Sequence, residues 1–366
     1  MRNSFGTLYS RGNAAGGPEK AMAARSYHLD TTLMLGIACA LIVNSHLEAF
    51  WPRSFLAVDG LLGNSFFYLL SGFGIGSSLF AHPQRFDRFL ARRLIRIYPA
   101  VIIAVVLLVG VVGGRAYRTV NGMPPWTFDD AFRSLIWPTP FTYVRNIVAI
   151  YVIGYLMMLP RSMNVLYGGV ATATGLFLYS YIQDYPSLSP HAKLGLGSLP
   201  GGIYDSFDTA LFLGGMTIAG SRTTPIRQFW ASAILAAVLC IAYFAVKYVM
   251  VIEGVGAQFY PVLFVLVGAI SYLALGVLSD PRLIQPLKRV RGIGWMIDLV
   301  AGLTLEIYIL HQTLISTLKG LAAIEFPINI VLLVVISIAA AVLLRMLTNP
   351  LRRWVDATAR PAAKVP

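Results

Sequence analysis

Long apolar runs repeat along almost the whole chain, and short segments rich in charged residues, glycine or proline separate them. A run of about 20 apolar residues crosses the hydrocarbon core of a bilayer as one helix. The pattern predicts ten membrane-spanning helices, over residues 31–50, 55–80, 98–114, 145–160, 163–182, 206–221, 227–250, 258–278, 296–318 and 327–348. It therefore indicates an all-α, polytopic membrane protein.

Composition agrees with this pattern. Charged residues make up 12% of the chain and hydrophobic residues 57%, whereas soluble domains carry roughly a quarter charged residues. The spans leave no stretch for a separate soluble domain, so we predict one membrane domain over residues 28–350. A flexible tail, 1–27, precedes it and lacks the apolar core of a signal peptide. A short basic tail, 351–366, follows it.

The basic residues predict the orientation. With a cytoplasmic N-terminus, 21 of the 29 Lys and Arg residues fall in cytoplasmic segments, as the positive-inside rule requires. Both termini are then cytoplasmic. The net charge of +13 is spread over loops between spans rather than over one face of a soluble module, so no nucleic-acid partner is expected. Cys39 and Cys240 both lie in apolar runs, which argues against a disulfide framework or a metal site.

Two long segments on the predicted outer side, 115–144 and 183–205, are rich in Gly, Pro, Tyr, Trp and Ser. Aromatic side chains on irregular loops form platforms on which sugars bind. The same composition is typical of the aromatic belt that anchors a protein at the membrane surface. The sequence leaves both interpretations open.

Two histidines lie within predicted spans. His46 is about 15 residues into the first span and His311 about 15 residues into the ninth, and both spans run outward. At 1.5 Å per residue, each lies roughly 20 Å from the cytoplasmic side. We therefore expect the two imidazoles to share one layer in the outer half of the membrane. Ionisable groups at such depth are functional candidates, and the alternative is a structural hydrogen bond between helices.

Polar side chains also follow one face of the ninth span. His311 shares this face with four residues at helical spacing, which are Thr304, Tyr308, Gln312 and Ile315. Tyr308 and Gln312 are candidate substrate-binding residues. In the second span, Asn64, Ser71 and Ser78 recur every seven residues among several glycines. This second pattern is typical of close helix packing, although Asn64 and Ser71 are also candidate hydrogen-bond donors to a reacting oxygen.

An arginine-rich run precedes the third span and contains Arg92, Arg93 and Arg96. Guanidinium groups bind phosphates in a forked geometry, and they also anchor helices to anionic lipid head groups. The chain has no glycine motif of the Walker or Rossmann type, so a nucleoside triphosphate or dinucleotide site is unsupported.

Several segments, in this order, resemble the acyltransferase-3 family of integral membrane enzymes. They are Leu29-Asp30, Asn44-Ser45-His46, the segment from Asn64 to Phe73, the arginine run closing in Tyr98-Pro99, and the segment from Leu305 to His311. The resemblance implies a ten-span acyltransferase in a bacterial cytoplasmic membrane. It also implies an acyl donor, acetyl-CoA or another acyl-CoA, and a carbohydrate acceptor that is exported, at the cell surface or carried on a lipid. Glycan-assembly proteins or a second copy of the chain are candidate partners.

The resemblance also assigns roles to residues. His46 takes the role of the family's first-span histidine, and Arg93 and Arg96 match its paired arginines, which would bind the CoA phosphates. The family pattern places an arginine eleven residues before the histidine, and here that position is Leu35. The usual first-span contact with the acyl donor is therefore unfilled in this chain.

The chemistry is consistent with these roles. A neutral imidazole can take the proton of a sugar hydroxyl as the hydroxyl attacks a thioester, or carry the acyl group itself. His46 is the candidate for either role, and His311 is its candidate partner. The competing interpretation is a transporter or flippase for a glycan or small polar solute. Transporters commonly contain inverted repeats, and no matching halves are found in the sequence.

Overall fold

The computed structural model describes residues 29–53, 56–57, 60–110, 142–160, 162–184, 201–221, 228–253 and 259–358. Regular structure within these ranges is entirely helical. The helices are α1 (Thr32–Asn44), α2 (Gly60–Ala81), α3 (Phe86–Gly110), α4 (Thr142–Met158), α5 (Met163–Asp184), α6 (Gly201–Ser221), α7 (Phe229–Glu253), α8 (Tyr260–Leu278), α9 (Pro281–Arg289), α10 (Arg291–Thr317) and α11 (Ile328–Thr358). The predicted N-terminal tail and most of both long outer segments lie outside the described residues.

Ten of these helices have 13 residues or more, and each overlaps one predicted span. Five of them, α5, α7, α8, α10 and α11, contain segments long and apolar enough to cross a membrane. The all-helical membrane class is therefore supported, whereas the count of ten spans stays a prediction. Several helix boundaries differ from the predicted ones, and the two largest differences lie in α3 and α11. The arginine run, expected in a loop, forms the first turns of α3, and α11 continues through Thr358 into the predicted C-terminal tail.

The exposed surface of the bundle carries many large apolar side chains. On α7, Trp230, Ile234 and Ile241 are each more than 60% exposed, and similar side chains cover the outer faces of α5 and α11. Contiguous apolar surface of this size is unfavourable in water and favourable against lipid tails. The outward faces of these helices are therefore suited to a lipid environment.

Helix α2 forms the centre of the described bundle. It packs most extensively on α6 and also contacts α1, α4 and α8. The close approach of α2 and α6 depends on glycine at two positions. A Cβ at Gly72 would collide with the carbonyl of Phe212, and a Cβ at Gly215 would collide with the carbonyl of Leu69. Gly72 therefore serves helix packing, the structural role that the glycine pattern of α2 favoured.

Replacing Gly72 with Ala is expected to destabilise the protein by about 1–3 kcal/mol or more, because the methyl group meets backbone that cannot turn aside. Gly74→Ala is the matched control, since a Cβ at Gly74 meets nothing within 4 Å. Thermal stability of the two purified variants in the same detergent checks this. Equal melting temperatures of the two variants would contradict the requirement for glycine at position 72.

Contacts between chain segments show which helix ends lie together. At one end, Lys288 of α9 forms ion pairs with Asp30, just before α1, at 2.8 Å and with Asp298 of α10 at 2.9 Å. At the other end, the Asn329 amide donates to the carbonyl of Phe50 at 2.8 Å. Helices α1 and α10 therefore run in the same direction and α11 runs in the opposite one.

The predicted orientation can be tested with reporter fusions. Because 21 of 29 basic residues fall on one side, fusions after residues 90, 285 and 360 should report the cytoplasm. Fusions after residues 125, 195 and 320 should report the outer side. An outer-side signal at residue 90 would contradict this topology and would move the arginine run away from a cytoplasmic donor.

Candidate active site

His46 lies in a tight turn beyond the end of α1. The sequence analysis placed it inside a helix over residues 31–50, and this boundary is wrong because α1 ends at Asn44. Its backbone N–H bonds to the Val43 carbonyl at 3.1 Å, and that of Leu47 bonds to the Asn44 carbonyl at 3.0 Å. These three-residue bonds belong to a 3₁₀ geometry rather than an α-helix. His46 is consequently exposed at the end of the bundle.

A small apolar cluster holds this turn in place. Leu47 and Phe50 are buried against Ile315 of α10 and Leu333 of α11. The Trp51 indole N–H also donates to the Asn44 side chain at 2.8 Å. These contacts fix the His46 backbone next to the outer part of α10.

The two histidines meet across α1 and α10. Their ring centroids are 5.1 Å apart with an angle of 47° between the ring planes. This confirms the prediction that the two imidazoles share one layer. His311 is 3% exposed, whereas His46 is exposed, so the pair joins the interior of the bundle to its surface.

The hydrogen bonding of His311 determines which ring nitrogen is available. Its Nδ1 lies 2.6 Å from the carbonyl oxygen of Tyr308. A carbonyl can only accept, so Nδ1 carries the hydrogen, and in the neutral ring Nε2 keeps a lone pair. Nε2 is buried and has no hydrogen-bond partner among the described residues. An oriented imidazole with an unused lone pair is suited to accept a proton or hold a hydroxyl group.

Aromatic and hydroxyl side chains extend from His311 into the bundle. The Tyr308 ring lies 5.5 Å from that of His311 and 5.2 Å from that of Tyr143. The Tyr308 hydroxyl accepts the Tyr143 backbone N–H at 3.2 Å. The Tyr143 hydroxyl is 3.1 Å from the Ser71 hydroxyl. Ser71, a candidate donor to the reacting oxygen, is therefore linked to His311 through two tyrosines.

The same series of side chains reaches the arginine run. Tyr151 of α4 lies close to the Ser71 hydroxyl and to the guanidinium groups of Arg93 and Arg96. We call the series Tyr308, Tyr143, Ser71 and Tyr151 the tyrosine track. It connects the histidine pair with the paired arginines, and Tyr143 and Tyr151 contribute to it from positions about two turns apart on α4.

Arg93 lies in an environment that favours an anion. Burial lowers the pKa of its guanidinium, Tyr151 acts in the opposite direction, and the like charges of Arg96 and Arg92 lower the pKa further. A bound anion would offset both the burial and the repulsion. The guanidinium also lies 5.7 Å from the centroid of the Phe89 ring, which orients it.

Comparison with known proteins identifies the family. A family model described as an acyltransferase domain, that of acyltransferase-3, matches residues 32–346. The chain belongs to the acyltransferase-3 family. Neither a curated protein nor a solved structure gives a significant match. Membership in this family makes the protein an acyltransferase, and membrane association is general in the family.

In this acyltransferase-3 protein, Leu35, where the sequence resemblance implied an arginine, is half-buried and packs against the main apolar core. Asn64 lies on α2 with its side-chain oxygen buried and without a hydrogen-bond partner among the described residues. Gln312 is half-buried beside His311. The Arg92 guanidinium donates a hydrogen bond to the Gln84 side chain at 3.2 Å.

Several polar residues in the interior of this acyltransferase were not predicted from the sequence. Tyr143 is central to the tyrosine track. Asp208 of α6 is 8% exposed and lies close to the hydroxyl of Tyr68. Glu306 of α10 is 1% exposed. Both acids lie inside predicted spans, so the rule that singled out the histidines would also have found them. Tyr143 gave no such signal, because it falls in the predicted outer segment 115–144, where aromatic residues are frequent.

Proposed function

We propose that this protein transfers an acyl group, acetyl in the simplest case, from a cytoplasmic CoA thioester to a hydroxyl of an exported or cell-surface carbohydrate. The bacterial cytoplasmic membrane is the location that fits this reaction. The acceptor would be free or lipid-linked, and glycan-assembly proteins or a second copy of the chain are candidate partners.

The observation that carries the proposal is the histidine pair joined by the tyrosine track to Arg93 and Arg96. Acyl transfer across a membrane needs an anion site for CoA on one side, a base near the acceptor on the other, and a protein-lined route between them. Arg93 and Arg96 suit the first requirement because guanidinium groups bind phosphates strongly. His46 and His311 suit the second, and the hydroxyl groups of the track suit the third.

The proposed reaction assigns distinct roles to the two histidines. The acceptor hydroxyl gives its proton to His46, while its oxygen attacks the thioester carbonyl. A C–O bond forms, the C–S bond breaks, and the proton ends on the departing CoA thiolate. His311 orients the acceptor or His46 through its Nε2. Hydrogen bonds from Asn64, Ser71 or a tyrosine hydroxyl would stabilise the negative charge on the carbonyl oxygen. Transfer through an acyl-histidine is the two-step form of the same reaction.

The deciding experiment compares surface glycans from cells with the native gene, without it, and with the His46→Gln variant. Mass spectrometry should show acyl groups that disappear without the protein and are not restored by the variant. Glycans with unchanged acylation but reduced export would overturn this proposal in favour of the transporter interpretation. A radiolabelled acetyl-CoA assay on purified protein then tests the donor directly.

A further inference from the structure

A polar cavity of about 380 Å³ lies where the end of α2 meets the start of α3. Its lining consists of Ser78, His82, Pro83, Gln84, Arg85, Arg88 and Arg92. The mechanism above does not use this cavity. Three of its seven lining residues are arginines, so its chemistry differs from the apolar pockets that bind most small molecules.

The three arginines are brought together by helical spacing. Arg85 directly precedes α3, and Arg88 and Arg92 follow at intervals of three and four residues, which places them on one face. Arg93 is one residue further, about 100° around the helix, and lies over the Phe89 ring. The arginine run therefore has two faces: one towards Tyr151 and the track, the other into the cavity.

The cavity wall is held by hydrogen bonds that involve Gln84. The Tyr155 hydroxyl donates to the Gln84 carbonyl at 2.8 Å. The Gln84 side chain accepts from Arg92 at 3.2 Å and donates to the Ser78 hydroxyl at 3.4 Å. Gln84 thus positions the Arg92 guanidinium at the cavity wall.

Positive charge in the cavity is only partly balanced. Asp87 forms an ion pair with Arg85 at 3.3 Å, and both side chains are more than half exposed. Such an exposed pair is weak, so Arg85 can exchange this partner for a ligand. No other ion pair is found for the three arginines in the described part of the chain.

We propose that this cavity binds the phosphate groups of an anionic ligand at the membrane edge, through Arg85, Arg88 and Arg92. Two ligands present this chemistry there. One is the phosphorylated nucleotide end of the acyl donor, which rests on the proposed function. The other is the head group of an anionic lipid. In the first case, the cavity holds the nucleotide end while Arg93 and Arg96 face the track.

Binding to the purified full-length protein tests this proposal. The first probe is adenosine 3′,5′-bisphosphate, measured by equilibrium dialysis in nanodiscs of phosphatidylcholine. The triple variant Arg85→Gln/Arg88→Gln/Arg92→Gln should bind it at least about tenfold more weakly, since the loss of one charge-assisted contact already has this effect. The matched control, Arg289→Gln/Arg291→Gln/Arg353→Gln, removes the same charge from exposed arginines elsewhere and should bind as the native protein does.

The second probe is phosphatidylglycerol, counted by mass spectrometry of protein extracted from mixed nanodiscs. Retention of this lipid without nucleotide binding would assign the cavity to a head group, and nucleotide binding would assign it to the donor. The single variant Arg88→Glu, at an exposed position, gives the same comparison if the triple variant does not fold. Failure to bind either probe would overturn the proposal, and so would equal weakening in the cavity variant and the control. Neither measurement requires acyl transfer, so a failure of the proposed reaction would be seen separately.

Discussion

Replacing His46 with Gln is expected to lower acyl transfer per folded molecule by about 10²-fold or more, the usual scale for loss of a general base. Gln keeps the approximate size and hydrogen-bonding capacity of His, so the turn after α1 should remain in place. Its anchors, Leu47 and Phe50, are buried on the other side of that turn. Protein yield and melting temperature should therefore match those of the native protein.

His311→Gln is expected to give a defect of similar size. With ring centroids 5.1 Å apart, the two side chains are close enough to contact one acceptor group, and residues that act as a unit show non-additive losses. The double variant should therefore be little worse than the more severe single variant. If the fold-losses of the two single variants multiplied in the double variant, the two imidazoles would act in separate steps.

The control for both histidine variants is Glu48→Gln. Glu48 is exposed in the same turn as His46, so its replacement changes the local charge but keeps both imidazoles, and turnover should stay within a few-fold of native. Glycan acylation per folded molecule is the measurement in each case. Near-normal turnover in His46→Gln would remove this residue from the mechanism and favour transport over acyl transfer.

Hydropathy alone located every long described helix, because the length of an apolar run is set by the bilayer. It failed at the end of α1, because the predicted span continues to residue 50, whereas the chain after Asn44 folds into 3₁₀ turns. Two hydrogen bonds, from Trp51 to Asn44 and from Asn329 to Phe50, hold this segment in place. Such contacts join residues up to 279 positions apart, and no local pattern reports them.

The candidate site, like the fold, was only partly predictable from the sequence. Depth along a span follows from residue number, so the shared layer of His46 and His311 was predictable. Which side chains face each other depends on the rotation and packing of helices. Ser71 was a candidate donor to a reacting oxygen, and the sequence did not indicate that α2 turns it towards Tyr143. The division of the arginine run into two faces became visible only once the run proved to be part of α3.

The second large expected effect concerns binding of the acyl donor. Replacing Arg93 and Arg96 together with Gln should weaken binding of an acyl-CoA by about 10²-fold or more, because each charge-assisted phosphate contact contributes roughly 1.5–3 kcal/mol. Acceptor binding should change little, since the histidine pair lies at the other end of the tyrosine track. Donor affinity is measured by equilibrium dialysis with labelled acetyl-CoA.

Two further variants separate phosphate binding from simple loss of charge. Arg93→Lys/Arg96→Lys keeps both charges but removes the forked geometry, so it should fall between the native protein and the Gln variant. Arg289→Gln/Arg291→Gln removes two exposed charges from the segment joining α9 and α10, and should bind the donor normally. Unchanged donor affinity in a folded Arg93→Gln/Arg96→Gln variant would instead assign the pair to anchoring in anionic lipid. Because the predicted first span, 31–50, contains no arginine, no first-span guanidinium would compensate, and the full loss should be observed.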